Sequence, residues 1–382
     1  MVVFISILLV LFIAYAILID YYRRAWNRMP IFEKGATIPA TPISVIIAAR
    51  NEENNIPRLL ASLEKQTYDR ELFEVIVVDD HSQDRTWEIL SAYCGSLRLT
   101  PLRLSQHLHE TDTVAAHKKK AIETGIVKAS GMLIVTTDAD CHFPADWLMT
   151  LAKFHHLKKA KFVAAPVKIE ARKSLLSVFQ SIDFLTLQGI TGASVYKRFH
   201  SMCNGANLAY DKSAFMEVDG FSGIDQIASG DDMLLMHKIF KKYPASVHYL
   251  KSREAIVSTE PVTSWKAFFN QRIRWASKAV YYDDKRIFYV LLLVYLLNAG
   301  LFALLVGAII NNGLVIFLLL FFVAKLLIEF PFVNSVATFF GQQRLMAYFV
   351  LLQPLHIVYT LVAGWLGKFG SFEWKGRVVQ TT

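Results

Sequence analysis

The chain has 382 residues, 54% of them hydrophobic and 19% charged, and its mean hydropathy of +0.34 excludes an ordinary soluble enzyme. The formal net charge is +9, but the basic residues cluster beside apolar runs, so an anionic lipid face accounts for them and no nucleic-acid partner is expected. Cys94, Cys141 and Cys203 stand apart without CxxC spacing, which excludes a zinc framework and points to a reducing compartment.

Residues 2–19 are an uncharged apolar run of bilayer-spanning length. No Lys or Arg precedes it, whereas Arg23, Arg24 and Arg28 follow. That order predicts a retained anchor with its C-terminal end in the cytoplasm, not a cleaved signal. Residues 43–48 lack alternation and read as a strand covered on both faces. A polar loop follows; then Ile56, Leu59, Leu60 and Leu63 recur at helical spacing, predicting a helix over 55–65. Residues 73–78 form the next strand, ending at Asp79-Asp80, with Ser82, Asp84 or Thr86 to cap the helix after it. A third strand is predicted at 99–104, a helix at 117–127 and a fourth strand at 133–135. Strands alternating with helices mean right-handed βαβ units in a mostly parallel sheet.

The fourth strand runs into Asp138-Ala139-Asp140. Two carboxylates one residue apart at the end of a buried strand suit a hard cation, Mg²⁺ or Mn²⁺, that keeps positions open for phosphate oxygens. The plain alternative is a polar strand exit, since Asp is common in turns. Glu52 after the first strand, and Asp79 and Asp80 after the second, occupy the same topological place. Acidic groups at successive carboxyl edges converge on one crevice, where a nucleotide explains them. No GxGxxG or GxxxxGK[ST] follows any strand, so metal and side chains must hold a diphosphate.

In the second half, 164–171 reads as extended and 175–190 as a helix. Asn204 and Asn207 offer hydroxyl-binding amides, or ordinary turn residues. Ser229-Gly230-Asp231-Asp232 precedes a helix over 233–240, with Ser229 or Asp231 as cap. A cap needs one acid; the second points to catalysis, although the helix dipole also favours both. Residues 264–282 are amphipathic and read as an interfacial helix, in which Arg274 has the planar fork to grip a diphosphate. Apolar runs at 287–310, 314–332 and 346–366 follow, with a turn at Asn311-Asn312-Gly313.

Seven stretches occur together in order: SVIIAARNEENNI, EVIVVDDHSQDRT, HKKKAIETGI, TTDADCHFP, NGANLAYDKSAF, SGDD and QRIRW. With them the chain resembles the family 2 glycosyltransferases, an inverting group with the GT-A fold that includes cellulose, hyaluronan and chitin synthases. The resemblance covers about 43–275 and the Trp374-Lys375-Gly376-Arg377 tail. It implies an α/β GT-A fold, a mixed, mostly parallel sheet with helices on both faces, flanked by N-terminal and C-terminal transmembrane helices. It implies that Ala48, Arg50 and Glu52 line the nucleotide pocket, that Asp80 meets the base and that Lys118 lies near the diphosphate. Asp138 would sit by the ribose and metal, and Asp140 would bind the metal. Asp232 would be the catalytic base beside Asp231. Gln271, Arg274 and Trp275 match the family's QxxRW motif at the donor, with Trp275, Asn204 and Asn207 toward the acceptor. The common Pro-Thr-Tyr after the first strand is Ala48-Ala49-Arg50 here.

The expected organisation is an anchor at 1–22, a cytoplasmic catalytic domain at 40–260, an interfacial helix at 261–285, membrane segments at 286–367 and a basic tail at 368–382. The expected activity is metal-dependent inverting transfer from a nucleotide-sugar, a UDP-sugar first, to a lipid or lipid-linked glycan at a bacterial inner membrane. The alternative is a processive β-polysaccharide synthase, and the length of the product separates the two. A sugar nucleotidyltransferase would carry a Gly-rich loop where AARNEE stands, and a silent scaffold has little need of both DAD and GDD. Three full crossings after the catalytic region would leave Lys368, Lys375 and Arg377 outside, against the positive-inside rule. One C-terminal segment is therefore expected not to cross fully. Residues 314–340, with Lys325, Glu329 and Pro331, are the first candidate.

Overall fold

The computed structural model describes residues 1–33, 35, 39–108, 116–200, 202–227, 229–277, 284–369, 371–374 and 377–380. Residues 278–282 of the amphipathic segment and Lys375-Gly376 of the tail lie outside the described residues. In chain order the elements begin with α1 (Val2–Arg28), β1 (Ile43–Ala49), α2 (Ile56–Glu64), β2 (Phe73–Asp79), α3 (Thr86–Ser91), β3 (Leu99–Arg103), α4 (His117–Lys128) and β4 (Leu133–Asp138). Next come α5 (Trp147–Lys158), β5 (Phe162–Ala164), β6 (Val167–Ile169), α6 (Leu175–Lys197), β7 (Leu208–Asp211), α7 (Lys212–Glu217), α8 (Asp231–Lys242), β8 (Val247–Tyr249) and β9 (Val257–Thr259). The chain ends with α9 (Trp265–Ala276), α10 (Lys285–Ile310), α11 (Val315–Phe339), α12 (Phe349–Phe369), β10 (Ser371–Trp374) and β11 (Arg377–Gln380).

Two compact units result. One comprises Pro30–Glu170 and Ser201–Glu260; the other comprises Met1–Met29, Ala171–His200 and Pro261–Thr382. α6 belongs to the second of these units. The reason is apolar packing: Leu176, Phe179, Ile182, Phe184, Leu185 and Val195 of α6 are all buried, and the helix packs against α1 and α11. At Gly189 a Cβ would lie 2.5 Å from Val336 Cγ2, so only glycine lets these backbones approach.

The unit containing β1 is built on a seven-stranded sheet in the order β3-β2-β1-β4-β7-β5-β8. β1 runs parallel to β2 and β4, while β7 is antiparallel to β4 and β5. The mostly parallel sheet read from the sequence is therefore present. Ile43, Val45, Ile46 and Ile47 of β1 are fully buried, as a central strand covered on both faces requires. β4 runs three residues further than its apolar core and ends on Asp138 itself. α4 lies on β1, where a Cβ at Gly125 would come within 2.6 Å of Ile46 Cγ2. That close seat fixes where the first turn of α4 falls.

In the other unit, four helices among the described residues are long and apolar enough to cross a membrane: Val2–Arg28, Lys285–Ile310, Asn312–Phe339 and Gln343–Gly367.

Candidate active site

Strand register puts the candidate carboxylates at one edge. Asp79 stands opposite Ala49, and Asp138 stands opposite Ala48. The loops after β1 and β2 are laced together beyond that edge. Arg50 Nη1 donates to the Asp80 carbonyl at 2.8 Å, the Asn51 N–H to Ser82 Oγ at 3.0 Å and the Glu52 N–H to Thr86 Oγ1 at 2.7 Å. Glu52 in turn accepts from Asn55 Nδ2 at 2.6 Å. Arg50 and Glu52 therefore brace the loops that would cradle a nucleotide. Asp80 is buried, and its Oδ1 accepts from His81 Nδ1 at 2.9 Å and His117 Nδ1 at 3.0 Å. Neither histidine stands out in the sequence. They are distant in the chain, and only the seat of α4 beside the end of β2 joins them.

Lys118, the second residue of α4, holds the centre. Its Nζ lies 2.8 Å from Asp138 Oδ1 and 3.1 Å from Asp231 Oδ2. Burial works against the ammonium charge, but Asp138 and then Asp231 outweigh it and raise the lysine pKa well above its usual value. The DAD and GDD stretches, far apart in sequence, thus meet at one permanent cation. Gly205 closes the third side: its N–H donates to Asp232 Oδ2 at 3.0 Å. A Cβ on Gly205 would lie 3.3 Å from Lys118 Nζ and 3.4 Å from Asp231 Oδ2, so the turn fits there because it has no side chain.

Asp231 and Asp232 are the first two residues of α8, and the cap position is Gly230 at φ 80°. Neither Ser229 nor Asp231 caps the helix, contrary to the sequence expectation; the left-handed glycine makes the turn instead. Lys119 secures the approach to it. Buried beside Lys118, it donates to the carbonyls of Ile224, Ile227 and Ser229 at 2.6, 2.7 and 3.1 Å.

Asp140 Oδ2 accepts from Thr259 Oγ1 at 3.2 Å. Asp138 and Asp140 supply hard carboxylate oxygens at a strand end, a donor set that fits Mg²⁺ or Mn²⁺. Burial, then Asp140 and Asp138, push the pKa of the neighbouring Cys141 thiol well up. Asn204 forms a local turn, its Oδ1 accepting from the Ala206 N–H at 2.9 Å. Asn207 corrects the sequence expectation. It is wholly buried, accepts from Trp147 Nε1 at 3.0 Å and donates to the Pro166 and Ala255 carbonyls at 2.8 Å each. Both ends of its amide are engaged inside the fold, so it braces β7 and does not meet an acceptor.

Gln271, Arg274 and Trp275 lie on α9, in the other unit. The buried arginine of that helix is Arg272, at 2% exposure. It pairs with Asp183 of α6 at 3.0 Å, and its guanidinium stacks 4.2 Å from the centre of the Trp275 ring and 4.9 Å from that of Phe268. One face of Trp275 is thereby fixed by its own helix.

Two family models match the chain: Glycosyl transferase family 2 over residues 44–219, and Glycosyl transferase family group 2 over residues 133–366. The chain is 26% identical over 238 residues to the probable glycosyltransferase YdaM of Bacillus subtilis, which covers 61% of this chain and 54% of that protein. It is 24% identical over 242 residues to the beta-monoglucosyldiacylglycerol synthase of Trichormus variabilis, with 61% and 48% covered. The chain spans about half the length of these relatives. Among solved structures, the mannosyltransferase PcManGT of Pyrobaculum calidifontis, in complex with GDP-Man and Mn²⁺, aligns at a TM-score of 0.59 and 20% identity, over 92% of this chain and 98% of that one. That likeness is one of fold.

Proposed function

The chain belongs to the family 2 glycosyltransferases, and from that premise we propose that it transfers a sugar, with inversion, from a UDP-sugar to a lipid or lipid-linked glycan at a membrane. One observation carries the reading: the Lys118 ammonium joins Asp138, expected at the donor, to Asp231 beside the expected base, at 2.8 and 3.1 Å. The donor and acceptor ends of a group transfer then share one preorganised charged centre.

In this reading Asp232 takes the proton of the acceptor hydroxyl. That oxygen bonds to the anomeric carbon from the face opposite the diphosphate, the bond to the diphosphate oxygen breaks, and the nucleoside diphosphate leaves. Lys118 faces the charge that develops on the leaving group. Ala48, Arg50, Glu52 and Asp80 hold the nucleoside, Asn204 serves acceptor hydroxyls, and Gln271, Arg274 and Trp275 of α9 serve the diphosphate and the acceptor. Asp138 and Asp140 would hold Mg²⁺ or Mn²⁺, which when bound offsets the charge of the two phosphates. A relative named for a glycolipid product supports a lipid acceptor. The four apolar helices support a bilayer location, with the catalytic unit on the cytoplasmic side of a bacterial membrane, where nucleotide-sugars are.

Nucleotide release tests the proposal, measured on the purified full chain with membrane lipids over UDP-, GDP- and dTDP-sugars. GDP-sugars belong in the screen because the structurally similar mannosyltransferase is in complex with one. The expected result is release from a UDP-sugar that needs Mn²⁺ or Mg²⁺ and is lost in chelator and in Asp140→Ala. Turnover of Asp140→Ala at the normal rate in chelator would reject the metal site. Release from GDP-sugars alone would reject the uridine donor.

A further inference from the structure

We propose that Lys119 is a positioning residue for the transfer step: it fixes the turn that delivers Asp232 and sets the rate of transfer through that carboxylate. The inference rests on the reading of Asp232 as the base and names the residue that holds the base in place.

A buried ammonium has to be satisfied where it lies. Lys119 is 2% exposed, and an ammonium carries N–H donors and no acceptor. Its Nζ donates to the main-chain carbonyls of Ile224 at 2.6 Å, Ile227 at 2.7 Å and Ser229 at 3.1 Å. All three carbonyls belong to the stretch that leads into α8. A charged donor makes each of these bonds roughly twice as strong as a neutral one, so one side chain gathers the whole approach to Asp231 and Asp232.

That stretch is built of turns. Asp219, Gly220, Gly223 and Gly230 have φ of 54°, 46°, 79° and 80°, so the chain reverses repeatedly. Its own bonds join residues three apart: the Ser222 N–H to the Asp219 carbonyl at 2.9 Å, Ile224 to Phe221 at 3.0 Å and Ile227 to Ile224 at 3.3 Å. Such bonds fix the shape of each turn and not its place against the sheet. At Gly223 a Cβ would meet no described atom within 4 Å, so packing does not wedge the tip there. Lys238 gathers the start of the stretch, donating to the Gly220 and Ser222 carbonyls at 2.7 and 2.8 Å, but Lys238 belongs to α8 and moves with it. Lys119 belongs to α4, which is seated on β1 at Gly125, where a Cβ would come within 2.6 Å of Ile46 Cγ2. Lys119 therefore ties Ser229, the residue before the Gly230 cap, to the sheet.

Asp232 takes its place from that turn. It is the second residue of α8; its Oδ1 accepts from the Met233 N–H at 2.8 Å and its Oδ2 from the Gly205 N–H at 3.0 Å. One donor rides on α8 and the other stands before β7, so a shift of the start of α8 pulls the carboxylate away from Gly205. A base works only within hydrogen-bond reach of the proton it takes, and a misplacement of about 1 Å costs on the order of 10²-fold in rate. The donor side rests on the ends of β1, β2 and β4, to which none of the three Lys119 bonds runs. A lysine that serves folding alone is the other reading; its loss would lower the melting temperature and leave the turnover of folded protein unchanged.

The test uses the purified full chain in detergent with Mn²⁺, membrane lipids and the sugar nucleotide turned over in the screen above. The variants are Lys119→Met, Lys119→Gln, Lys238→Met, Asp232→Asn, and each Lys119 variant combined with Asp232→Asn. Lys119→Met keeps the length of the side chain and removes its donors. It should lower kcat by about 10- to 100-fold and leave the Kd for UDP with Mn²⁺, read by isothermal titration, within about 2-fold of wild type. Lys119→Gln, which keeps an amide N–H, should fall between, and it decides the matter by the same criteria if Lys119→Met does not fold. Lys238→Met, whose bonds lie at the far end of the stretch, should stay within about 3-fold of the wild-type rate. In the Asp232→Asn background, where the base is already gone, Lys119→Met should cost at most about 3-fold more. A wild-type kcat in the Lys119 variants, a UDP affinity that falls in step with the rate, an equal loss in Lys238→Met, or the full loss repeated on top of Asp232→Asn each overturns the inference. If Asp232→Asn is slow and the Lys119 variants are not, the inference alone falls. If Asp232→Asn keeps the wild-type rate, the base proposed above falls and the inference with it.

Discussion

Asp231 and Asp232 are neighbours with different surroundings. The charge of Asp231 is committed to Lys118 at 3.1 Å, whereas Asp232 Oδ2 accepts from the backbone of Gly205 at 3.0 Å. Asp232 is the better candidate to hold a substrate proton, because its Oδ2 is positioned by a backbone N–H while the Asp231 carboxylate forms the ion pair with Lys118. Asp232→Asn keeps the shape and the acceptor for Gly205, removes basicity, and should lower the transfer rate by about 10²–10⁴ while leaving donor affinity nearly unchanged. Steady-state kinetics beside UDP titration would check it, and a variant that kept its rate, or that lost donor binding instead, would give the role to another group. At this scale Asp138 and Asp140 could be named from residue type and position after a strand, Asp231 and Asp232 from their place at a helix start, and Lys118 through the family resemblance alone. His81, His117 and Lys119 could not, because their partners lie in other loops. Asn207 misled: a polar residue in an apolar stretch reads equally as a ligand or as an internal brace, and only its burial separates the two.

Elements with a long periodic pattern could be read closely, and short ones could not. β8 and β9 have three residues each, too few to show a period. α6 runs to Lys197, past the predicted 190, through Thr191 and Gly192, weak helix formers. Packing against α1 and α11, where small residues are needed, outweighs that propensity. α11 departs most from expectation. It is continuous through Pro331, and its charged pair is buried and satisfied. Lys325 meets Glu329 at 2.6 Å and donates to Gln353 Oε1 at 2.8 Å, Gln353 Nε2 donates to Glu329 at 2.8 Å, and Tyr15 of α1 donates to Glu329 as well. Charges that face neighbouring helices do not bar a span. Lys325→Met should therefore leave an uncompensated buried carboxylate and cost about 3–5 kcal/mol, while Lys325→Met with Glu329→Gln should recover much of it. Thermal unfolding in detergent measures the cycle; a double variant no more stable than the sum of the two single effects would show that the pair is not coupled.

Across the whole molecule, hydropathy and charge conflict over the C-terminal segments, and the packing of α12 within its own unit bears on which of them stops short. α6 ties together the segments that begin or end a span: Tyr196 reaches the Arg28 carbonyl at the end of α1 at 3.5 Å, Asp183 pairs with Arg272 of α9 at 3.0 Å, and the Arg198 carbonyl following the helix accepts from Arg286 at the start of α10 at 3.5 Å. Arg28 and Arg286 thus meet at the C-terminal end of α6, the end that the positive-inside rule would assign to the cytoplasm. α12 packs on the first half of α6 and on α9. Its Tyr359 ring lies 5.4 Å from Phe268 of α9 and 5.6 Å from Phe179 of α6, His356 stands 3.9 Å from Asp183, and a Cβ on Gly367 would lie 2.4 Å from Ala276 Cβ. The backbone of β10 then lies against α9. α12 is thus packed along α9 by its second half, while Gln353 in its first turns meets the Lys325–Glu329 pair of α11. From this packing α12, and not the 314–340 segment named from sequence, is predicted to be the one that stops short, although α12 is long and apolar enough to span. A single Cys placed after Thr382 should stay unlabelled by a membrane-impermeant thiol reagent in intact cells and react once the membrane is permeabilised. Labelling in intact cells would put the tail outside and make α12 a full crossing.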